Sequence, residues 1–195
     1  MVQIHHSLDL LAADSGRDRP VVENDLSWIC AAHTQSAATA VEVVTRVNLV
    51  LGRRTVESRF ATMFFGRLSS DGVLTYSNAG HNPPVLFNRS DVRRLETGGL
   101  VLGAFGHVDY EEEAVQLHDG EVLVVFSDGV TEAMTADGVE FGEERLVSCV
   151  NAHRDAAASE LLDCVLGAVR EFTAGTPQSD DITAMVLRYG PLHRS

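Results

Sequence analysis

The middle of the chain is made of short apolar runs paired across polar turns, and that pattern decides the fold class. Phe60 to Leu68 and Val73 to Ser77 flank Ser70-Asp71-Gly72. Asp-Gly between two apolar stretches signals a hairpin, because glycine takes positive φ without strain. Val85 to Asn88 and Val92 to Glu96 read as a second pair around Arg89-Ser90-Asp91. Glu113 to Leu117 and Val122 to Phe126 read as a third, hinged at His118-Asp119-Gly120. Val122 to Phe126 is continuously apolar, so cover is expected on both of its faces. Helical spacing takes over on either side. Ala40, Val44, Val47 and Leu51 recur at steps of three and four within Ser36 to Leu51, and Gly52 is a stop. Phe141 to Val150 and Asp155 to Thr173 also read as helices. In the second, Ala158, Leu161, Leu162, Val165, Val169 and Phe172 share a face, with Asp155 as the expected N-cap. A last strand is expected over Ile182 to Tyr189. Many hairpins with helices at either end make an α+β protein of sheets stacked against helices.

The 195 residues suffice for one domain, which buries roughly 70% of its unfolded surface and needs no metal or disulfide merely to fold. The net charge of −13 repels phosphate backbones and anionic lipid heads, so neither nucleic acid nor a membrane surface is an expected partner. Cys30, Cys149 and Cys164 form no Cys-x-x-Cys pair, which argues against a disulfide framework or a zinc knuckle. Cys149 and Cys164 fall on helical stretches and read as core. With no apolar run of about 18 residues and no basic-then-apolar start, a cytoplasmic location is expected. Residues 1–35 are the least readable part, an arm or a short strand and helix. The domain proper is expected over 36–190, with 191–195 as a tail.

Two pieces could carry chemistry. Ser127-Asp128-Gly129 follows the buried strand, and Asp180-Asp181-Ile182-Thr183 precedes the last one. If those strands are antiparallel neighbours, their ends meet at one rim of a sheet. Carboxylates gathered there repel one another unless a cation sits between them, and hard oxygen donors suit Mg²⁺ or Mn²⁺. A plainer reading stands beside this one. Asp-Gly also occurs at 71–72, 119–120 and 137–138, where turns explain it, and Asp180-Asp181 before a strand is more often a cap or loop than a ligand pair. His81, within Asn78-Ala79-Gly80-His81-Asn82-Pro83-Pro84, is either a base or phosphate contact or a locally bonded residue of a tight, proline-stiffened turn. No nucleophile elbow, phosphate-binding Gly-rich loop or zinc helix is present.

At these residues the chain resembles a family. Phe60-Ala61-Thr62-Met63-Phe64-Phe65 with Tyr76 to Pro84 is similar to the central signature of the SpoIIE subfamily of PPM-type, metal-dependent serine/threonine phosphatases. So are Gly98-Gly99-Leu100-Val101-Leu102-Gly103, then Phe126-Ser127-Asp128-Gly129-Val130-Thr131-Glu132-Ala133, and finally Asp180-Asp181-Ile182-Thr183-Ala184-Met185-Val186-Leu187. The helix over Ser36 to Leu51 is similar to the one that precedes this block. The motifs run in order from about Ser36 to Arg188.

The resemblance implies a sandwich of two antiparallel sheets flanked by helices. It implies two Mn²⁺ or Mg²⁺ ions at one rim, with a metal-bound water as the nucleophile rather than a catalytic side chain. Asp128 and Asp180 are then metal ligands, Asp181 is the adjacent alternative, and Gly129 and His81 are supporting residues. The implied substrate is a phosphorylated regulatory protein, for example an anti-sigma-factor antagonist. The chain departs from the family at its start. A Gly-Asp motif and an Asp-x-x-Gly-His-Gly motif are both missing from residues 1–35, and Asp9, Asp14, Asp18 and Asp25 lack the glycine context. The departure implies that some amino-terminal strands are lacking. The edge so exposed would be covered by the arm or by a partner chain, as in a homodimer. It also keeps open a pseudophosphatase that binds a regulatory partner without hydrolysis, and a truncated gene product.

Overall fold

The computed structural model describes residues 9–14, 28–31, 39–52, 60–178 and 180–190. The chain divides into two compact units, and each holds one sheet. Elements are numbered in chain order through both.

The first unit contains β1 (Asp9–Asp14), β5 (Val85–Phe87), β6 (Val92–Arg94), β9 (Val122–Phe126) and β10 (Thr183–Arg188). They form a sheet of order β1-β10-β9-β5-β6 in which every ladder is antiparallel. The helices α2 (Asp128–Thr131), α3 (Gly142–Ala152) and α4 (Ala158–Thr173) belong to the same unit. Val122, Val124 and Phe126 of β9 and Ala184 and Val186 of β10 alternate along their strands. They share one core with Leu146 and Val150 of α3 and Leu161, Val165 and Val169 of α4. The period-2 face of the sheet thus meets the period-3.6 stripes of the helices. All five residues of β9 are buried, as its unbroken apolar run requires. Arg145 on α3 lies 4.6 Å above the Phe172 ring of α4 and donates to the carbonyl of Phe141, tying the start of one helix to the end of the other.

The second unit contains β2 (Trp28–Ala31), α1 (Ala40–Gly52), β3 (Met63–Leu68), β4 (Val73–Ala79), β7 (Gly98–Gly99) and β8 (Glu113–Gln116). Its sheet runs β2-β3-β4-β7, with β8 also paired to β4. Here β2–β3 and β4–β7 are parallel ladders, within an expectation of antiparallel sheets. Ala40 and Val44 of α1 pack with Met63, Phe65 and Ala79. The helix starts at a capping box: Thr39 Oγ1 accepts from the Glu42 amide, and Glu42 Oε2 accepts from the Thr39 amide. Glu112 Oε2 takes a third orphan amide, that of Val41.

The first two expected hairpins form, at Asp71-Gly72 and at Arg89 to Asp91. The third does not. His118 to Glu121 is a turn, closed by the Glu121 amide on the His118 carbonyl, but it carries the chain from one sheet to the other. β8 pairs with β4, while β9 lies between β10 and β5. β9 lies inside its sheet with every residue buried, whereas two of the four residues of β8 are exposed. Asp155 is likewise not the cap of α4. Residues around it form the turn between α3 and α4, whose carbonyls at Arg154 and Ala156 accept from Arg188 Nη1. The helix begins three residues later, where Glu160 Oε2 accepts from the Ala157 amide. In the expected arm, the described residues hold β1 and β2. The start of the expected first helix, 36–38, lies outside the described residues.

One polar residue sits on the apolar face of α1. Asn48 is 2% exposed, accepts from the Gly103 amide at 2.8 Å and donates to the Phe105 carbonyl at 3.2 Å. Asn48→Ala leaves both backbone groups without their partner. It should cost about 2 kcal/mol, read as a lower denaturation midpoint at unchanged slope.

Candidate metal centre

β9 and β10 are antiparallel neighbours with Phe126 opposite Ala184, so the end of one and the start of the other meet at one rim. Just past the ladder, Ser127 stitches them together. Its amide donates to the Thr183 carbonyl at 2.9 Å, and its Oγ accepts from the Thr183 amide at 3.0 Å. The same Oγ donates to the Asp181 carbonyl at 3.0 Å. Ser127 is buried, and no sequence motif gives it a role. The signal available was its place: a hydroxyl at the last strand position before Asp-Gly.

Asp128 opens α2, and Gly129 passes directly against the facing loop. A Cβ on Gly129 would lie 2.4 Å from the Asp181 carbonyl oxygen and 3.4 Å from that of Asp180. Only glycine permits that approach. Asp128 and Asp180–Asp181 are therefore brought together by backbone contact. Asp128 Oδ1 accepts from the Gly129 amide at 3.0 Å, and Asp180 Oδ1 accepts from the Asp181 amide at 2.7 Å. Each of these two carboxylates keeps Oδ2 without a protein partner among the described residues, and none of the three aspartates is ion-paired there. Asp128 and Asp181 are exposed and Asp180 is half-buried.

His81 belongs to the other unit. Asn78 brackets it, Oδ1 accepting from its amide at 2.8 Å and Nδ2 donating to its carbonyl at 2.9 Å. Its Nδ1 is 3.3 Å from Thr62 Oγ1. The residue is buried, its backbone is held within its own turn, and its ring meets Thr62 from outside that turn. Cys149 and Cys164 are half-buried on α3 and α4, and burial, then Cys164, pushes the Cys149 thiol up, away from a reactive thiolate.

The donor set fits a hard divalent cation in kind. It is all oxygen, it sits on two facing chain ends, and two carboxylates with free oxygens match an ion that keeps several waters. It is short in number, since no three His, Cys, Asp or Glu among the described residues form a group that could hold a metal. No described helix is long and apolar enough to cross a membrane.

Comparison with known proteins adds what geometry alone does not. A family model, Stage II sporulation protein E (SpoIIE), matches residues 23–190. Protein IcfG of Synechocystis sp. is 33% identical over 130 residues, 66% of this chain and 20% of that protein. Phosphoserine phosphatase RsbU of Bacillus subtilis is 31% identical over 150 residues, 75% of this chain and 44% of that protein. The chain thus spans less than half of either curated relative. Among solved structures, the phosphatase domain of the cell fate determinant SpoIIE from Bacillus subtilis matches with a TM-score of 0.63 at 18% identity. That match covers 96% of this chain and 95% of that one. A Mn-presoaked form of the same domain gives 0.59 at 19% identity, over 84% and 78%. The α+β fold with two sheets and helices is the one these phosphatase domains share.

Proposed function

The chain belongs to the SpoIIE family, and from that membership we propose that it is a metal-dependent protein serine/threonine phosphatase. Its substrate is phosphoserine or phosphothreonine on a regulatory protein, of which an anti-sigma-factor antagonist is an example. The observation that carries this reading is the contact of Gly129 with Asp181, which gathers Asp128, Asp180 and Asp181 at one rim. Asp128 and Asp180 would hold Mn²⁺ or Mg²⁺, with Asp181 in support. A cation bound there supplies Lewis acidity toward water and toward a phosphoryl oxygen. The chain's own part is positional. Ser127 pins the Asp181 backbone, Gly129 sets the spacing, and the exposed Asp128 leaves the rim open to a phosphorylated side chain. His81 keeps a supporting role through its loop. The phosphatase domain takes up 36–190 in this reading, behind the arm at 1–35 and ahead of the tail at 191–195. A cytoplasmic location and protein partners, a second copy of the chain among them, belong to the same reading, and the net charge of −13 argues against nucleic acid and membrane surfaces as partners.

Release of nitrophenol from p-nitrophenyl phosphate tests the reaction. The rate should rise with Mn²⁺ and return to background on chelation. A rate indifferent to Mn²⁺ would contradict the reading. A second reading is favoured by the absence of a three-donor cluster among the described residues. It is a pseudophosphatase that holds a regulatory partner without hydrolysis, marked by binding of a phosphorylated partner with no phosphate release.

A further inference from the structure

We propose that Cys149 and Cys164 are a redox pair, which a peroxide joins in a disulfide tying α3 to α4 and a thiol reductant opens again. The register of the two helices brings the cysteines together. α3 and α4 pack against each other and are joined by the short turn 153–157. Phe141, at the start of α3, meets Phe172, near the end of α4, edge to face with ring centroids 5.5 Å apart. The helices therefore run antiparallel. Cys149 lies eight residues after Phe141, and Cys164 lies eight residues before Phe172. Each step rises about 12 Å toward the turn, so the two cysteines stand at one level.

They also stand on facing sides. Phe141, Arg145 and Cys149 follow at steps of four on α3, and Cys164, Ala168 and Phe172 do so on α4. Arg145 lies over the Phe172 ring, so these two stripes face each other. Cys149 and Ala168 both pack against the core under the helices. Burial, and after it the charge of Cys164, raises the Cys149 thiol, and that second influence needs the two sulfurs near each other. Packed helix axes lie 8–10 Å apart with Cα atoms about 2.3 Å from each axis, which leaves facing Cα atoms roughly 3–5 Å apart and flanking ones wider. A disulfide spans Cα separations of about 4.4–6.8 Å. Both residues are half-buried rather than sealed in the core, within reach of a molecule as small as hydrogen peroxide. Burial keeps Cys149 a thiol, so the reaction begins at Cys164. Its sulfur takes one peroxide oxygen, the O–O bond breaks, and the leaving hydroxide takes up the thiol proton as water. The Cys149 sulfur then attacks the sulfenic sulfur of Cys164, the S–O bond breaks, and the hydroxyl departs as a second water with the Cys149 proton. Two thiols are oxidised to one disulfide, and one peroxide is reduced to two waters.

Peptide mapping of the full chain after treatment with hydrogen peroxide tests this. Trypsin cuts after Arg145, Arg154 and Arg170, so Cys149 and Cys164 fall in separate peptides, 146–154 and 155–170, and Cys30 in a third. The expected product is peptide 146–154 linked to 155–170, lighter than their sum by two hydrogens, from a chain that stays monomeric on non-reducing electrophoresis. Dithiothreitol should separate the two peptides. Cys164 follows Cys149 by 15 residues, and closing a loop of that length should raise the thermal midpoint by roughly 6–12 °C until the bond is reduced. Cys164→Ala should show neither the link nor the rise. Unlinked peptides with each cysteine free or carrying its own oxygens, a link to Cys30, or a link formed only between two chains would overturn the pairing. A link that leaves the midpoint unchanged or lowers it would show that the native helices must part to form it, and would overturn it too.

Discussion

Asp128→Ala should reduce Mn²⁺-stimulated phosphate release at least about 100-fold, to the level seen without metal, while leaving the fold in place. The size follows from losing an electrostatic partner of the reacting phosphoryl group, for which single-group deletions cost roughly 10² to 10³. The preserved fold follows from the structure. Asp128 is exposed, and its carboxylate makes one hydrogen bond, to the amide of its own neighbour Gly129. That bond contributes about 1 kcal/mol. A thermal-unfolding pair separates the two effects. Mn²⁺ at 100 times its Kd stabilises a protein that binds it by about 2.7 kcal/mol. The wild-type midpoint should therefore rise with Mn²⁺, and the Asp128→Ala midpoint should not. A variant that keeps its Mn²⁺-dependent rate would remove Asp128 from the site.

Gly129→Ala should be worse for the fold and equally damaging to the rim. The added methyl would sit 2.4 Å from the Asp181 carbonyl oxygen, a backbone atom that cannot swing aside. About 1 Å of separation between α2 and the 180–181 loop is needed, and the Ser127 bonds to Asp181 and Thr183 must stretch with it. Overpacking of this kind costs roughly 1–3 kcal/mol, and here broken hydrogen bonds add to it. The expected result is a lower denaturation midpoint together with loss of the Mn²⁺ response. Gly167→Ala makes a control. Gly167 lies in the middle of α4 with nothing within 4 Å of its would-be Cβ. That change should stabilise the protein by about 0.5–1 kcal/mol, since alanine costs less helix entropy than glycine. A Gly129→Ala protein as stable and as metal-responsive as wild type would show that the close approach is dispensable.

Particular residues show which parts of this architecture are legible in the sequence. The β9 strand and its Asp128 ending are legible because continuous apolarity and a following Asp-Gly are both local signals. The same holds for β3–β4, where the turn and the pairing coincide. At His118 to Glu121 the local turn is correctly read, yet the strands on either side go to different sheets. Turn chemistry fixes a reversal of direction, and only the burial demands of β9 decide its partners. Asp155 is misread for a related reason. It has the right chemistry for a cap, but the interhelix turn bonded by Arg188 occupies its place. Asn48 reads from the sequence as part of the polar side of its helix, and nothing local signals its burial, because its partners, Gly103 and Phe105, are more than 50 residues away. Asp128 and Asp180 are found as a pair because each stands beside a strand end.

The direct measurement of the central claim is a manganese anomalous difference map from crystals of the full chain soaked in MnCl₂. The account predicts a peak bonded to the carboxylates of Asp128 and Asp180 at the rim where β9 ends and β10 begins. A map with manganese bound elsewhere, or with no peak between those two carboxylates at saturating Mn²⁺, would contradict it.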